Sequence, residues 1–205
     1  MGQSIIIGIG GSHSGAGKTS VAEALLRHLT KIADVSVNSD SASKEKLTLK
    51  TDTDTKNKWG AIKYTNTAIY CSITDTPEIL AQENKDTARL LKAGAENVLW
   101  VQSSAEGLQE VMPLAVTRLS HLKGIIVEGN SAIEFLKPDV VIFIFGRDSG
   151  TLKKSAMKVL DMADIILFEE KPSVKLPARP KKFKVAVSSA SGLDECINYI
   201  HGLLR

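Results

Sequence analysis

A doubly wound, mostly parallel α/β sheet with helices on both faces follows from three features of this chain. First, short apolar runs recur along its 205 residues, and several, such as Val140 to Phe145, are continuous rather than alternating. Continuous Ile/Val/Leu/Phe runs are how parallel strands covered on both faces read. Second, stretches with helical spacing separate these runs. Third, a Gly-rich loop joins the first apolar run to the first helical stretch. Alternation of this kind, with ligands at the carboxyl ends of the strands, defines the architecture.

The strands are expected at Ser4 to Gly8, Gly60 to Tyr64, Ala68 to Ile73, Val98 to Gln102, Gly124 to Val127, Val140 to Phe145, Ile165 to Phe168 and Lys184 to Val187. The helices are expected at Thr19 to Lys31, Lys85 to Ala93, Glu106 to Leu122, Leu152 to Met162 and Leu193 to Leu204. Leu25, Leu26 and Leu29 give the first helix an apolar face, and Leu108, Val111, Ala115 and Leu119 do so for the third. Pro113 falls inside that third helix and is a candidate kink. Residues 1–205 are expected to form one domain, with a polar insertion at 38–58 and a C-terminal extension at 171–205. The insertion reads as mobile, and Lys171 to Lys184, with three prolines, reads as an exposed connector.

Between Ile5-Ile6-Ile7-Gly8-Ile9 and Val21 to Leu29 lies Ser12-His13-Ser14-Gly15-Ala16-Gly17-Lys18-Thr19. Strand, Gly-rich loop and helix in that order read as a phosphate-binding P-loop, and hence as a P-loop NTPase fold. Backbone N–H groups of Ser14, Gly15, Ala16, Gly17, Lys18, Thr19 and Ser20 would cradle the phosphates at the positive end of the helix. Lys18 would reach the β- and γ-phosphates, and Thr19 would ligate Mg²⁺. The usual first glycine of the motif is Ser12 here, preceded by Gly10 and Gly11. A nucleoside triphosphate, GTP or ATP, and Mg²⁺ are therefore the expected ligands.

Two further constellations bear chemistry. Ile125-Ile126-Val127-Glu128-Gly129 is an apolar strand ending in an acid, which could hold Mg²⁺ or its waters or polarise an attacking water. An ordinary strand-end carboxylate before a turn glycine is the plain alternative. Lys85-Asp86-Thr87-Ala88-Arg89 opens a helix, so Asp86 and Arg89 could simply form an i,i+3 pair and favour the dipole. Lys18, Glu128 and Asp86 are the candidate catalytic residues, Thr19 and Glu128 the candidate metal ligands. The polar stretch after Ile62-Lys63 suggests a substrate or partner cleft with Lys63, Asp75 and Arg89.

Taken in order, the P-loop, Ala61-Ile62-Lys63, Asp75, Lys85-Asp86-Thr87-x-Arg89, Ala93-Gly94-Ala95 and Val127-Glu128-Gly129 resemble molybdopterin-guanine dinucleotide biosynthesis protein B (MobB), from about Ser4 to about Phe145. The resemblance implies a GTP-binding protein of the SIMIBI class, often dimeric, that assists attachment of GMP to molybdopterin. It also implies that the Lys63, Asp75, Asp86 and Glu128 positions line the GTP cleft. The chain departs from that family at Tyr64, at Asn130 and in the 38–58 insertion. Its tail looks more like that of metallochaperone GTPases of the same class, whose guanine-reading Asn-Lys-x-Asp is replaced here by Phe168-Glu169-Glu170-Lys171. Glu169 or Glu170 could supply a substitute carboxylate, or both could be solvated strand-end charges. Val187-Ser188-Ser189-Ala190-Ser191 looks like the loop whose backbone contacts the guanine O6, which makes Ser189 and Ala190 candidate base-binding residues. A capped helix start is the alternative reading.

Bulk properties narrow the partners. With 26 Lys/Arg against 23 Asp/Glu and 5% aromatics, neither a strong field nor a stacking surface favours nucleic acid. No apolar run approaches the roughly 20 residues of a membrane helix. Cys71 and Cys196 have no metal spacing and sit in apolar patterns, so buried free thiols and a reducing cytoplasm are expected. His28, His121 and His201 lack metal spacing, and His13 could sit near the γ-phosphate or equally be a solvent-exposed loop residue. Thr51 to Thr55 lacks the Gly and Glu of a cation loop. The expected function is a MobB-like GTP-binding accessory protein with slow hydrolysis, a weak GTPase working with a molybdopterin-processing enzyme and able to form a homodimer. The alternatives are an ATP-dependent small-molecule kinase or ligase, and a nucleotide-gated module that docks a partner or carries a metal.

Overall fold

The computed structural model describes residues 4–38, 57–147, 151–186 and 192–204, with the backbone alone for 32–38. Strands β1 (Ile5–Gly11), β2 (Trp59–Asn66), β3 (Ser72–Thr74), β4 (Val98–Ser103), β5 (Gly124–Glu128), β6 (Val140–Phe145), β7 (Ile165–Phe168) and β8 (Lys181–Lys184) form one sheet. Its order is β3-β4-β2-β5-β1-β6-β7-β8, and every pairing is parallel except that of β3 with β4. The helices are α1 (Lys18–Asn38), α2 (Pro77–Leu80), α3 (Asp86–Lys92), α4 (Leu108–Leu119), α5 (Asn130–Leu136), α6 (Lys154–Met162) and α7 (Leu193–Leu203). The architecture is the doubly wound α/β sheet expected of the sequence.

Side-chain alternation along β1 builds the two layers. Ile7 and Ile9, both fully buried, point to the face packed by α1, α3 and α7, against Val21, Leu25, Leu26, Leu90, Ile197 and Ile200. Gly8 and Gly10 point to the opposite face, where α5 and α6 close in. A Cβ at Gly8 would lie 2.8 Å from Pro138 Cγ, and one at Gly10 would lie 2.7 Å from Val159 Cγ1. The glycines thus let two helices approach the strand that leads into the loop. On the same face, α4 packs Met112, Ala115 and Leu119 against Ile62, Val101, Ile125 and Val127.

Trp59 is the largest fully buried side chain, and its ring fills the place above Gly124 on the neighbouring strand. A Cβ at Gly124 would lie within 2.7 Å of three atoms of that ring. Gly124→Ala is expected to destabilise the fold by about 1–3 kcal/mol through overpacking, read as a lower urea midpoint at constant slope. An unchanged midpoint would contradict this packing.

Several expected elements are displaced. The third strand is Ser72–Thr74 rather than Ala68 to Ile73, because residues 67–71 leave the sheet as a turn before an antiparallel return. The eighth is Lys181–Lys184 rather than Lys184 to Val187, so the last residues of the expected connector form an edge strand whose lysines stay exposed around buried Phe183. Lysines on an edge strand discourage pairing with another sheet. Cys71 is exposed, contrary to the expected buried thiol, because it lies in that turn. Cys196 is buried, and burial pushes its thiol up to about 12. Pro113 remains inside α4. Two helices, α2 and α5, fall where none was expected. Of the 38–58 insertion, residues 39–56, including Thr51 to Thr55, lie outside the described residues. No helix among the described residues is long and apolar enough to cross a membrane.

Candidate nucleotide-binding site

The loop between β1 and α1 is held at its root from both neighbouring strands. Ser12 donates its N–H to the Ile144 carbonyl of β6 at 2.9 Å, and the Gly146 N–H donates to Ser12 Oγ at 3.1 Å. From the exit of β5, Asn130 makes two bonds to Gly11. Its Oδ1 accepts the Gly11 N–H at 3.0 Å, and its Nδ2 donates to the Gly11 carbonyl at 2.9 Å. A pair of amide bonds to one residue fixes the loop's take-off in both position and rotation. The turn itself needs Gly15 and Gly17, which adopt φ of 84° and 91°, a region that other L-residues enter only with strain. The result is a loop wrapped over the N-terminus of a long helix.

Lys18 is the first residue of that helix, and its ammonium donates to the His13 carbonyl at 2.9 Å, so it lies folded over its own loop. Burial lowers its pKa, while Glu128 pulls the other way. The bare site therefore resists the charged form of Lys18, and a phosphate beside it would relieve that cost.

Glu128 closes β5, and its carboxylate, 2% exposed, is engaged at both oxygens. Thr19 donates its hydroxyl to Oε2 at 2.9 Å, and Lys63 reaches Oε1 at 2.5 Å. Register explains the meeting, because Glu128 lies opposite Ile9 on β1 and opposite Lys63 on β2. The Lys63 ammonium also lies 2.6 Å from Asp86 Oδ2 at the start of α3. Arg89, one turn along α3, lies 3.8 Å from Asp86 and 2.6 Å from Glu23 of α1, and donates to Ser20 Oγ at 3.0 Å. The structure thus gathers Lys18, Thr19, Ser20, Lys63, Asp86, Arg89 and Glu128 in one cleft, at the carboxyl edges of β1, β5 and β2.

Burial alone would lower the Lys63 pKa, but Glu128 and Asp86 outweigh it and hold the ammonium above its ordinary value. Burial would raise Asp86, but Lys63, Thr19 and Arg89 hold its carboxyl below the usual range. The signs set a pH window. Asp86 contributes stability above its unfolded pKa, about 4, and loses it as pH falls through the lower folded value. Lys63 contributes fully below its unfolded pKa, about 10.4, and loses it as pH rises through the higher folded value. Asp86→Asn is therefore expected to flatten the acid limb of the urea midpoint against pH and to leave the neutral-range slope unchanged. An acid limb as steep as in the unsubstituted protein would contradict this coupling.

Other expected site residues lie elsewhere. Asp75 follows β3 at the outer edge of the sheet, four strands from β1, and pairs with Arg118 of α4 at 3.2 Å. It borders a cavity of about 460 Å³ lined also by Leu80, Leu91, Asn97 and His121. The antiparallel turn of β3 carries it away from the loop, so it is no part of the cleft. Ser189 and Ala190 lie outside the described residues. Glu169, at the end of β7, is held by two bonds from Arg147, at 3.0 Å from Nε and 2.6 Å from Nη2, and Glu170 is exposed. His13 packs its ring over Gly146, where a Cβ would lie 2.8 Å from Nε2. Asn130 stood out in the sequence only as a departure from MobB, and Glu23 not at all. The Asn that directly follows Glu128-Gly129 was the available signal for the first, and its spacing from Arg89 gave none for the second.

The donors present suit Mg²⁺. A buried threonine hydroxyl and a buried carboxylate, with Asp86 one lysine away, are hard oxygen groups. Among the described residues no group of three or more His, Cys, Asp or Glu could enclose an ion. A scan of protein-family models finds no match to this chain, and no curated protein matches it.

Proposed function

We propose that this chain is a P-loop protein that binds a Mg²⁺-nucleoside triphosphate, with GTP preferred, and hydrolyses it slowly. The observation that supports this most is the Thr19–Glu128 bond at the mouth of a loop whose two glycines adopt left-handed φ. A helical N-terminus, a lysine and a hydroxyl–carboxylate pair converge there as phosphate transfer requires.

Each residue has a physical task. The amides of Ser14 to Thr19 receive the phosphates, and Lys18 leaves the His13 carbonyl to meet their charge. Thr19 and Glu128 would hold Mg²⁺, which when bound neutralises charge on the phosphate oxygens. Glu128 or Asp86 orients the attacking water, and Lys63 helps to hold the Asp86 carboxyl ionised. Transition-state charge is met by preorganised donors rather than by covalent chemistry.

The preference for guanine and the role in attaching GMP to molybdopterin rest on the ordered resemblance to MobB. A cytoplasmic protein, working with a molybdopterin-processing enzyme and able to form a homodimer, belongs to the same reading. An ATP-dependent kinase or ligase is the second reading. It is favoured by the polar shelf beyond Lys63, where Gln102 Nε2 donates to the exposed Tyr70 hydroxyl. Affinities for GTP and ATP with Mg²⁺, followed by product analysis, separate the two. Tighter GTP binding with GDP and free phosphate as products supports the proposal, and tighter ATP binding with phosphate retained on an acceptor overturns it.

A further inference from the structure

Lys63 carries a consequence beyond binding, resting on the reading of Thr19 and Glu128 as the metal's seat. Its ammonium is 2.5 Å from Glu128 and 2.6 Å from Asp86, and so bridges the buried end of β5 to the first residue of α3. The Lys63 side chain is 18% exposed, Glu128 2% and Asp86 40%, so the bridge is sheltered from water at its Glu128 end. The N-cap residue of α3, Lys85, makes no side-chain capping bond. The first turn of α3 is held instead by the Asp86 bridge and by the Thr87 hydroxyl, which donates to the Leu80 carbonyl at 2.8 Å. One turn on, Arg89 ties the same helix to Glu23 and Ser20.

We propose that Lys63 is a resident counter-cation, occupying the carboxylate pair Glu128–Asp86 until a divalent ion with nucleotide competes for it, so that loading of the site loosens the first turn of α3. Lys63 is a positioning residue in this scheme. A divalent cation and an ammonium drawn to the same two carboxylates repel one another, and in a sheltered site the repulsion is screened little by salt. With Glu128 drawn to the ion, Lys63 is left to turn towards the phosphates, and Asp86 loses its tie to the sheet, keeping the 3.8 Å pair with Arg89 of its own helix. Arg89 keeps the rest of α3 against α1, which confines the change to the turn that carries Asp86. The regulated element is therefore α3, reporting whether the site is filled.

Two measurements test this. In the nucleotide-free full chain, Mn²⁺ binding is titrated by electron paramagnetic resonance. Lys63→Met is expected to tighten Mn²⁺ binding at least tenfold, Lys63→Arg to leave it as in the unsubstituted protein, and Asp86→Asn added to Lys63→Met to reverse most of the gain. Mn²⁺ affinity unchanged in folded Lys63→Met would overturn the proposal. The second measurement uses the unsubstituted chain, and so does not depend on that variant folding. Amide hydrogen exchange across residues 86–92 is compared with and without Mg²⁺ and a non-hydrolysable GTP analogue. Faster exchange at the first turn on binding supports the proposal, and unchanged or slower exchange with the analogue bound overturns it. A chain that binds no analogue contradicts the nucleotide reading instead, while the Mn²⁺ titration still tests the role of Lys63.

Discussion

Lys18→Ala is expected to abolish measurable nucleotide binding. Its ammonium lies on the His13 carbonyl within the loop, and the surrounding charges are closely balanced: Lys18, Lys63 and Arg89 against Glu128, Asp86 and Glu23. A triphosphate brought into that cleft needs compensation, and Lys18 is the one lysine of the loop, residues 12–19. Truncating one partner of a desolvated charge pair costs about 2–5 kcal/mol, or roughly 30-fold to several thousand-fold in Kd. The fold should survive, because burial in the bare site opposes the Lys18 charge, and the variant's urea midpoint should not fall. Titration with a fluorescent GTP analogue and Mg²⁺ checks this. Affinity equal to that of the unsubstituted chain would remove the loop from the phosphate site.

Glu128→Gln separates hydrolysis from binding. Glutamine keeps the shape and an oxygen for Thr19 or Lys63, but not the charge that both use. Loss of a positioned acid or base typically lowers turnover by about 10²–10⁴, whereas the loop amides and Lys18 still receive the phosphates. A single-turnover phosphate-release assay beside a binding titration reads the difference. Turnover unaffected by the change would move the water-orienting role to Asp86, the other carboxylate on Lys63.

Much of this site was legible from the sequence because it is local. Residues 12–19 carry their geometry in their own spacing, and the apolar run ending at Glu128 marks a strand whose last residue must face the cleft. Lys63 and Asp86 could be placed in order along the chain, but only the parallel register of β2 against β5 brings the lysine beside Glu128. Asp75 shows the limit. Residues 68–73 have strand composition, yet the chain turns before entering the sheet and runs antiparallel, so the following acid ends up beside Arg118. Helix α5 escaped notice because it spans only seven residues between Gly129 and Pro138, too few for a period to declare itself. Its first residue is nonetheless the clamp on Gly11. In β8, alternation of lysine with one phenylalanine reads as a solvated stretch until β7 is present to pair with it.

The exposed surface offers a further contrast. Ile69 is 86% exposed beside the turn that carries Cys71, while the cleft between the loop and α3 is lined by paired charges. On the proposed reading, phosphate binding between the loop and α3 would draw on exchange of these existing ion pairs. Binding should accordingly weaken with rising salt, because phosphates and internal carboxylates compete for the same lysines.

Equilibrium titration of the full chain with GTP, with Mg²⁺ present and then removed by chelation, bears most directly on the cleft as a phosphate and metal site. Saturable binding of one GTP per chain, weakened when Mg²⁺ is withdrawn, is the outcome this geometry requires. Absence of saturable binding of both GTP and ATP to the folded protein in the presence of Mg²⁺ would contradict it.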